Sequence, residues 1–298
     1  MYFIKKYRRG IKNEYRRKMP VLEMTIKDML FQSKETINYL KNNFTHKTIV
    51  AHPHFPSKKT TIYKICNTLN YNITNKLNRK YDLAVYFENS TYRNEFQNLE
   101  KLEGKKVINL FSRNIGKEFI DEIHERVLGY CTKLNPLTYN GKAVKKNLLN
   151  AKHDGKIVHC PVNSIEEGYI YQKFINNEVD VNIVRDIRVP IINYKIPFVY
   201  FKNKKISDRF TNETIKTTLE KAESIFEPVD INNIISFCKE LKLDFGELDV
   251  LRDKNDNKIY IVDVNNTPYG PPASISKKDE KQAISLLADL FRKEFLSL

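Results

Sequence analysis

Toward the end of the chain, apolar and polar positions alternate over residues 246–252 and 258–265, a period of two that predicts a pair of strands. Between them lies "DKNDNK", a cluster of turn-forming residues, so the pair is expected to close as a hairpin. With the turn centred near Asp256, antiparallel pairing sets Asp249 opposite Asp263 and Glu247 opposite Asn265. Leu248, Val250, Val262 and Val264 are then expected to fill the other face. Beyond the hairpin a helical period returns over 278–296, where Ile284, Leu287, Phe291 and Phe295 make one stripe.

Earlier in the chain, "KTIVAHPHF" (47–55), "YDLAVYF" (81–87) and "KVINLF" (106–111) read as short strands, with a helix near 59–70 between the first two. That order predicts a small α/β domain with a mainly parallel sheet over about 46–115. Helices are expected over 20–43 and 115–130. After residue 135 come a strand–loop–strand, strands over 168–175, 182–192 and 196–203, and helices over about 213–226 and 231–242. The whole is an α+β chain dominated by antiparallel strands in its second half, with no internal repeat.

Composition sharpens this picture in three places. No stretch approaches the 18 apolar residues of a membrane span, and the start lacks an apolar core long enough for a signal peptide. The four cysteines (Cys66, Cys131, Cys160, Cys238) form no CxxC pair, so reduced thiols in a cytoplasmic protein are expected. The formal charge of +15 is spread along the chain, except for a dense cluster over residues 1–18 interleaved with Tyr2, Phe3, Tyr7 and Tyr15. A solvated arm is the expectation there, and contact with a membrane surface or RNA the alternative. Nucleic acid is not expected as the main partner.

Like charges directly opposite on a sheet are destabilising, so a hairpin that sets Asp249 against Asp263 needs a cation. Carboxylates and an amide are hard oxygen donors that suit Mg²⁺ shared with phosphates. The plain alternative is an exposed face whose acids meet nearby lysines.

"LDFGELDVL…IYIVDVNNTPYGPP" resembles the carboxy-terminal signature of ATP-grasp enzymes. The resemblance implies an ATP-grasp fold over 116–298, two α+β subdomains clasping ATP, preceded by a small α/β pre-ATP-grasp domain over 46–115 and a basic helical arm over 1–45. It implies ATP and Mg²⁺ (or Mn²⁺), with Asp249, Asp263 and Asn265 as metal ligands. "YQKFI" resembles the hinge strand that takes the adenine, which implies Gln172, Lys173, Phe174 and Ile175 in that slot and Glu178 or Asp180 at the ribose. "RDIRVPII" and "FVYFKNKKISDRFTNE" resemble segments of the subgroup that adds glutamate to ribosomal-protein tails. That match implies Arg188, Arg209 and Asn212 at the phosphates or the acceptor acyl group. Of Lys145 and Lys146 only one can face the cleft on an alternating strand, and Lys146 is preferred. His153 and Asp154 in the following loop, and His52 and His54 in "HPHF", are candidates for substrate contact, with ordinary loop side chains as the alternative.

The function implied is an ATP-dependent carboxylate–amine ligase working through an acyl phosphate. Its partner would be a small carboxylate or a peptide or polysaccharide precursor. A small-molecule kinase and a basic RNA- or membrane-binding module are the alternatives.

Overall fold

A computed structural model describes residues 47–102, 106–149, 152 and 154–296, together with Met29, Leu30, Ser33, Thr36, Ile37 and Leu40. Those six early residues are all helical, inside the helix expected over 20–43. The basic cluster over 1–18 and His153 lie outside the described residues.

The first strand, β1 (Thr48–Pro53), is followed by helix α1 (Thr61–Thr68), strands β2 (Asn72–Thr74) and β3 (Leu83–Phe87), the short α2 (Gln97–Glu100) and β4 (Val107–Ile108). Their sheet runs β2-β1-β3-β4, with β1, β3 and β4 mutually parallel. Both faces of β3 are covered, which is why "LAVYF" is an unbroken apolar run rather than an alternating one.

Helix α3 (Lys117–Leu128), closed by Gly129 at a left-handed φ of 80°, leads into an antiparallel sheet ordered β6-β5-β7. Its strands are β5 (Gly141–Asn147), β6 (Lys156–Cys160) and β7 (Tyr169–Lys173). The largest sheet runs β11-β10-β9-β12-β13, with β8 (Glu178–Asp180) paired to β9. Strands β9 (Ile183–Ile192), β10 (Val199–Lys205), β11 (Lys216–Glu220), β12 (Phe245–Arg252) and β13 (Ile259–Asn265) pair antiparallel throughout. Ile187, Val189, Leu248, Val250, Ile259 and Ile261 from this sheet pack with Ile120 and Ile123 of α3 and with Ile234 and Phe237 of α4 (Pro228–Glu240). That is the main core. The closing helix α5 (Lys277–Phe295) buries Leu287 and Phe291.

The hairpin register is as expected at its functional end: Glu247 pairs with Asn265, Leu248 with Val264, and Asp249 with Asp263. A bulge then shifts the ladder by one residue, so that Val250 faces Ile261. This overturns one expectation: Val262 lines the cleft and Ile261 takes its place in the core, because the extra residue reverses the alternation. The helix expected over 213–226 is also absent. Residues 216–220 instead form β11, the edge partner of β10, where the β-branched Thr217 and Thr218 fit a pleated strand.

Two buried polar side chains bind the parallel sheet to the hairpin. Asn109, at a φ of 60°, accepts from the Phe245 amide at 3.0 Å and donates to the Phe245 carbonyl, so it acts as a one-residue strand partner. Arg93 donates to the carbonyls of Glu88, Ser112 and Asn266. No helix among the described residues is long and apolar enough to cross a membrane.

Candidate active site

A cavity of about 760 Å³ opens between the β5–β7 sheet and the hairpin sheet, and Asn89–Tyr92 after β3 contribute to its wall. Its floor is one row of side chains across three strands: Arg188 on β9, Asp249 on β12 and Asp263 on β13. Alternation along β9 and β12 turns Arg188 and Asp249 toward the cavity and Ile187, Val189, Leu248 and Val250 into the core, whereas on β13 the bulge leaves Val262 at the cavity beside Asp263.

The cation that the acidic hairpin demands is supplied, for two of its acids, by the protein. Arg188 holds Asp249 bidentately, Nε to Oδ1 at 2.9 Å and Nη2 to Oδ2 at 3.1 Å, and its Nη1 lies 3.6 Å from Glu247. Burial alone would raise the Asp249 pKa, but Arg188 and Lys202 hold it well below the usual carboxylate range. Glu247 behaves differently. Burial pushes its pKa up to about 7, and neither carboxylate oxygen has a hydrogen-bond partner. Asp263 is raised too, by burial first and by Asp249.

Asp263 Oδ1 is buried without a hydrogen-bond partner, directly across the ladder from Asp249. Two residues on, the Asn265 side-chain Oδ1 accepts from the Thr267 backbone amide at 2.9 Å, and Asn265 lines the cavity. Two carboxylates and an amide oxygen on adjacent strands fit Mg²⁺ as donors. Among the described residues no three acidic, His or Cys side chains converge as a self-sufficient metal cage. This donor set therefore suits an ion that completes its shell with water and phosphate oxygens.

From the opposite sheet, Lys146 reaches across to the Val262 carbonyl at 3.0 Å, and burial lowers its pKa to about 8. Its neighbour Lys145 pairs with Glu166 instead and does not line the cavity.

No protein-family model matches the sequence, and neither does any curated protein. The three-dimensional fold does have relatives. The chain superposes on a D-alanine–D-alanine ligase from Bacillus anthracis, solved as a complex with ATP, with a TM-score of 0.51 at 18% identity over 84% of this chain and 96% of that one. A second structure of that ligase gives a TM-score of 0.52 at 17% identity, over 85% and 98%. The ATP-grasp ligase PsnB, complexed with the precursor peptide PsnA2 and AMPPNP, gives 0.51 at 9% identity, over 82% and 96%. The chain has the ATP-grasp fold.

On this ATP-grasp frame the sequence-derived candidates divide into two groups. Lys146, Gln172, Lys173, Ile175, Arg188, Arg209, Asn212, Asp249, Asp263 and Asn265 all line the cavity. Phe174, Glu178 and Asp180, expected at adenine and ribose, do not line it. The Phe174 ring lies under the Arg209 guanidinium, Glu178 pairs with Arg209 at 3.5 Å, and Asp180 is exposed, its carboxylate accepting from the Val181 amide. Lys173 reaches the wall, but its ammonium is spent on Asp253, Asp256 and the Tyr260 hydroxyl at 3.0, 2.7 and 2.6 Å. Arg209 donates to the Ile175 carbonyl at 3.1 Å, so its guanidinium is turned toward the hinge strand. His52 meets the Asn75 carbonyl, His54 is exposed, and neither lines the cavity.

Sequence reasoning missed Lys117, Lys202, Lys204 and Asp186 in the wall of the ATP-grasp cavity. The signal for Lys202 and Lys204 was present: "KNK" puts two lysines on one face of a strand.

Proposed function

We propose that the protein is an ATP- and Mg²⁺-dependent carboxylate–amine ligase. The observation that carries this is the row Arg188–Asp249–Asp263, with Lys146 above it, in the cavity of an ATP-grasp fold. Asp249, Asp263 and Asn265 would hold Mg²⁺, which when bound neutralises phosphate charge. The nucleotide lies between the two antiparallel sheets, with the adenine along the hinge backbone at Lys173–Ile175 and the phosphates toward Lys146.

The reaction needs aligned partners rather than a side-chain nucleophile. A carboxylate oxygen of the acid attacks the γ-phosphorus, the bond to the β,γ-bridging oxygen breaks, and ADP departs. The amine nitrogen then attacks the acyl carbon of the acyl phosphate, the acyl C–O bond breaks, and phosphate leaves while the nitrogen loses its proton to solvent. Arg188 and Lys146 face the charge that concentrates where these steps occur, and both are fixed before substrate arrives. We assign residues 46–115 as the pre-ATP-grasp domain and 116–298 as the ATP-grasp domain, with Asn89–Tyr92 of the former bordering the acceptor. The acceptor is a small carboxylate or a peptide or polysaccharide precursor.

ADP release with ATP, Mg²⁺ and paired panels of acids and amines tests this reading. Turnover that needs both partners is expected. Asp263→Asn is expected to weaken Mg²⁺-dependent nucleotide binding about tenfold or more in calorimetry. Phosphorylated acid accumulating with no amine requirement would instead identify a kinase. Absence of nucleotide binding sinks both.

A further inference from the structure

Lys202 stands on β10 in the cavity wall and is only 5% exposed. Its cross-strand neighbour on β9 is Asp186, an apparent counter-ion. That carboxylate is already committed: Oδ2 accepts from Lys204 at 2.6 Å and Oδ1 from Asn177 at 3.1 Å. The other nearby acid, Asp249, gives both its oxygens to Arg188. On the opposite flank Thr217 spends its hydroxyl on the Ala273 carbonyl. Among the described residues the Lys202 ammonium makes no hydrogen bond or ion pair.

Lys204, two residues along the same face, shows what a structural lysine looks like here. It holds Asp186 and donates to the carbonyls of Arg209 and Thr211, pinning the loop that covers this end of the cavity. Lys202 pins nothing. An ammonium taken out of water with no carboxylate in hydrogen-bond contact is costly, and burial lowers its pKa despite the nearby charges of Asp249 and Asp186. A chain that keeps such a charge in a cavity wall has placed it for something that enters the cavity. Lys202 is one same-face step, roughly 7 Å, along β10 from Tyr200, the partner of Arg188, and so borders the Arg188–Asp249–Asp263 row.

We propose that Lys202 is the seat of an oxyanion at the reacting end of the cavity, either the terminal phosphoryl oxygens of the nucleotide or the carboxylate of the acid. The assignment rests on the nucleotide-dependent ligase reading and adds to it a residue beside Arg188 that recognises the reacting groups rather than the adenine end.

The test compares wild type, Lys202→Met and Lys202→Arg by calorimetry with three probes. These are Mg·ADP, Mg·AMPPNP, and malonate titrated onto the Mg·AMPPNP complex. Mg·ADP affinity is expected to stay within twofold in Lys202→Met, while one of the other two falls tenfold or more and is restored by Lys202→Arg. A loss on AMPPNP assigns the phosphoryl group, and a loss confined to malonate assigns the acid. Equal losses on all three probes, or none on any, overturn the proposal. If wild type binds no nucleotide, the ligase reading fails separately, and malonate titrated onto the free protein still reads Lys202: a tenfold loss in Lys202→Met keeps the seat, and no loss removes it. Thermal melting adds a readout that a structural lysine would move the other way. Free Lys202→Met is expected to melt at or above wild type, and a fall would also overturn the proposal.

Discussion

At the scale of single residues the site is a set of buried charges whose partners lie on other strands, and Lys146 gives the cleanest handle on it. Burial lowers its pKa to about 8 in the folded protein, against an ordinary value near 10.5. Between those values the folded state binds fewer protons than the unfolded one, so stability rises with pH across that window. The penalty is fully present below pH 8 and is relieved as pH climbs, by up to about 3 kcal/mol for this one group. Between pH 7.5 and 10.5 the urea midpoint of wild type should therefore gain on that of Lys146→Met as pH rises, whatever slope the other groups give both proteins. An identical slope in both would place the ammonium in water. Lys117 and Lys202, also lowered by burial, act in the same direction in both proteins, and the buried Cys238 thiol, raised by burial, acts against them.

At the scale of elements the hairpin is the decisive unit, and its geometry depends on a glycine. A Cβ at Gly246 would stand 2.7 Å from the Asn265 carbonyl oxygen and 2.9 Å from a Leu243 methyl. Gly246 therefore lets β12 approach the end of β13 closely enough to bring Asn265 opposite Glu247. Gly246→Ala is expected to cost about 1–3 kcal/mol through overpacking, read as a lower denaturation midpoint. A neutral result would mean that the β13 end moves freely. The register at this end was readable because a polar turn and two alternating strands leave one pairing that buries the apolar face. The bulge past Asp249 was not, since nothing in the alternation of "IYIVDVN" marks where an extra residue enters. The strand at 216–220 was missed for a related reason: its backbone partners come from β10, and an edge position is invisible in a local window.

At the scale of the whole molecule, the two antiparallel sheets that enclose the cavity are joined by Lys173 of β7, which reaches Asp253 and Asp256 at the hairpin turn. Asp253 is fully buried, so removing the ammonium leaves a carboxylate with its charge unmatched. Lys173 itself is a third exposed, which reduces the expected loss for Lys173→Ala to about 1–2 kcal/mol of global stability. Chemical denaturation measures it, and hydrogen exchange should show the loosening confined to β7 and the 253–258 turn. Uniform exchange changes would contradict a tie between those two places. The parallel sheet is bound to the same hairpin by Arg93 and Asn109, whose hydrogen bonds end on Asn266 and Phe245. The loop at Asn89–Tyr92 thereby comes to line the cavity.

The sequence by itself determined the α+β order of elements, apart from the strand at 216–220, and the hairpin register at Asp249 and Asp263. Both follow from side-chain periodicity within one strand or one pair of neighbours. Only the tertiary structure decided which charges meet. It brought Arg188 from β9 to neutralise Asp249, committed Lys173 and Arg209 to structural contacts, kept Glu178 and Asp180 off the cavity wall, and left Lys202 facing the cavity with no hydrogen bond or ion pair among the described residues. Those outcomes depend on strand order and on competition for each carboxylate oxygen, and neither is encoded in spacing along the chain.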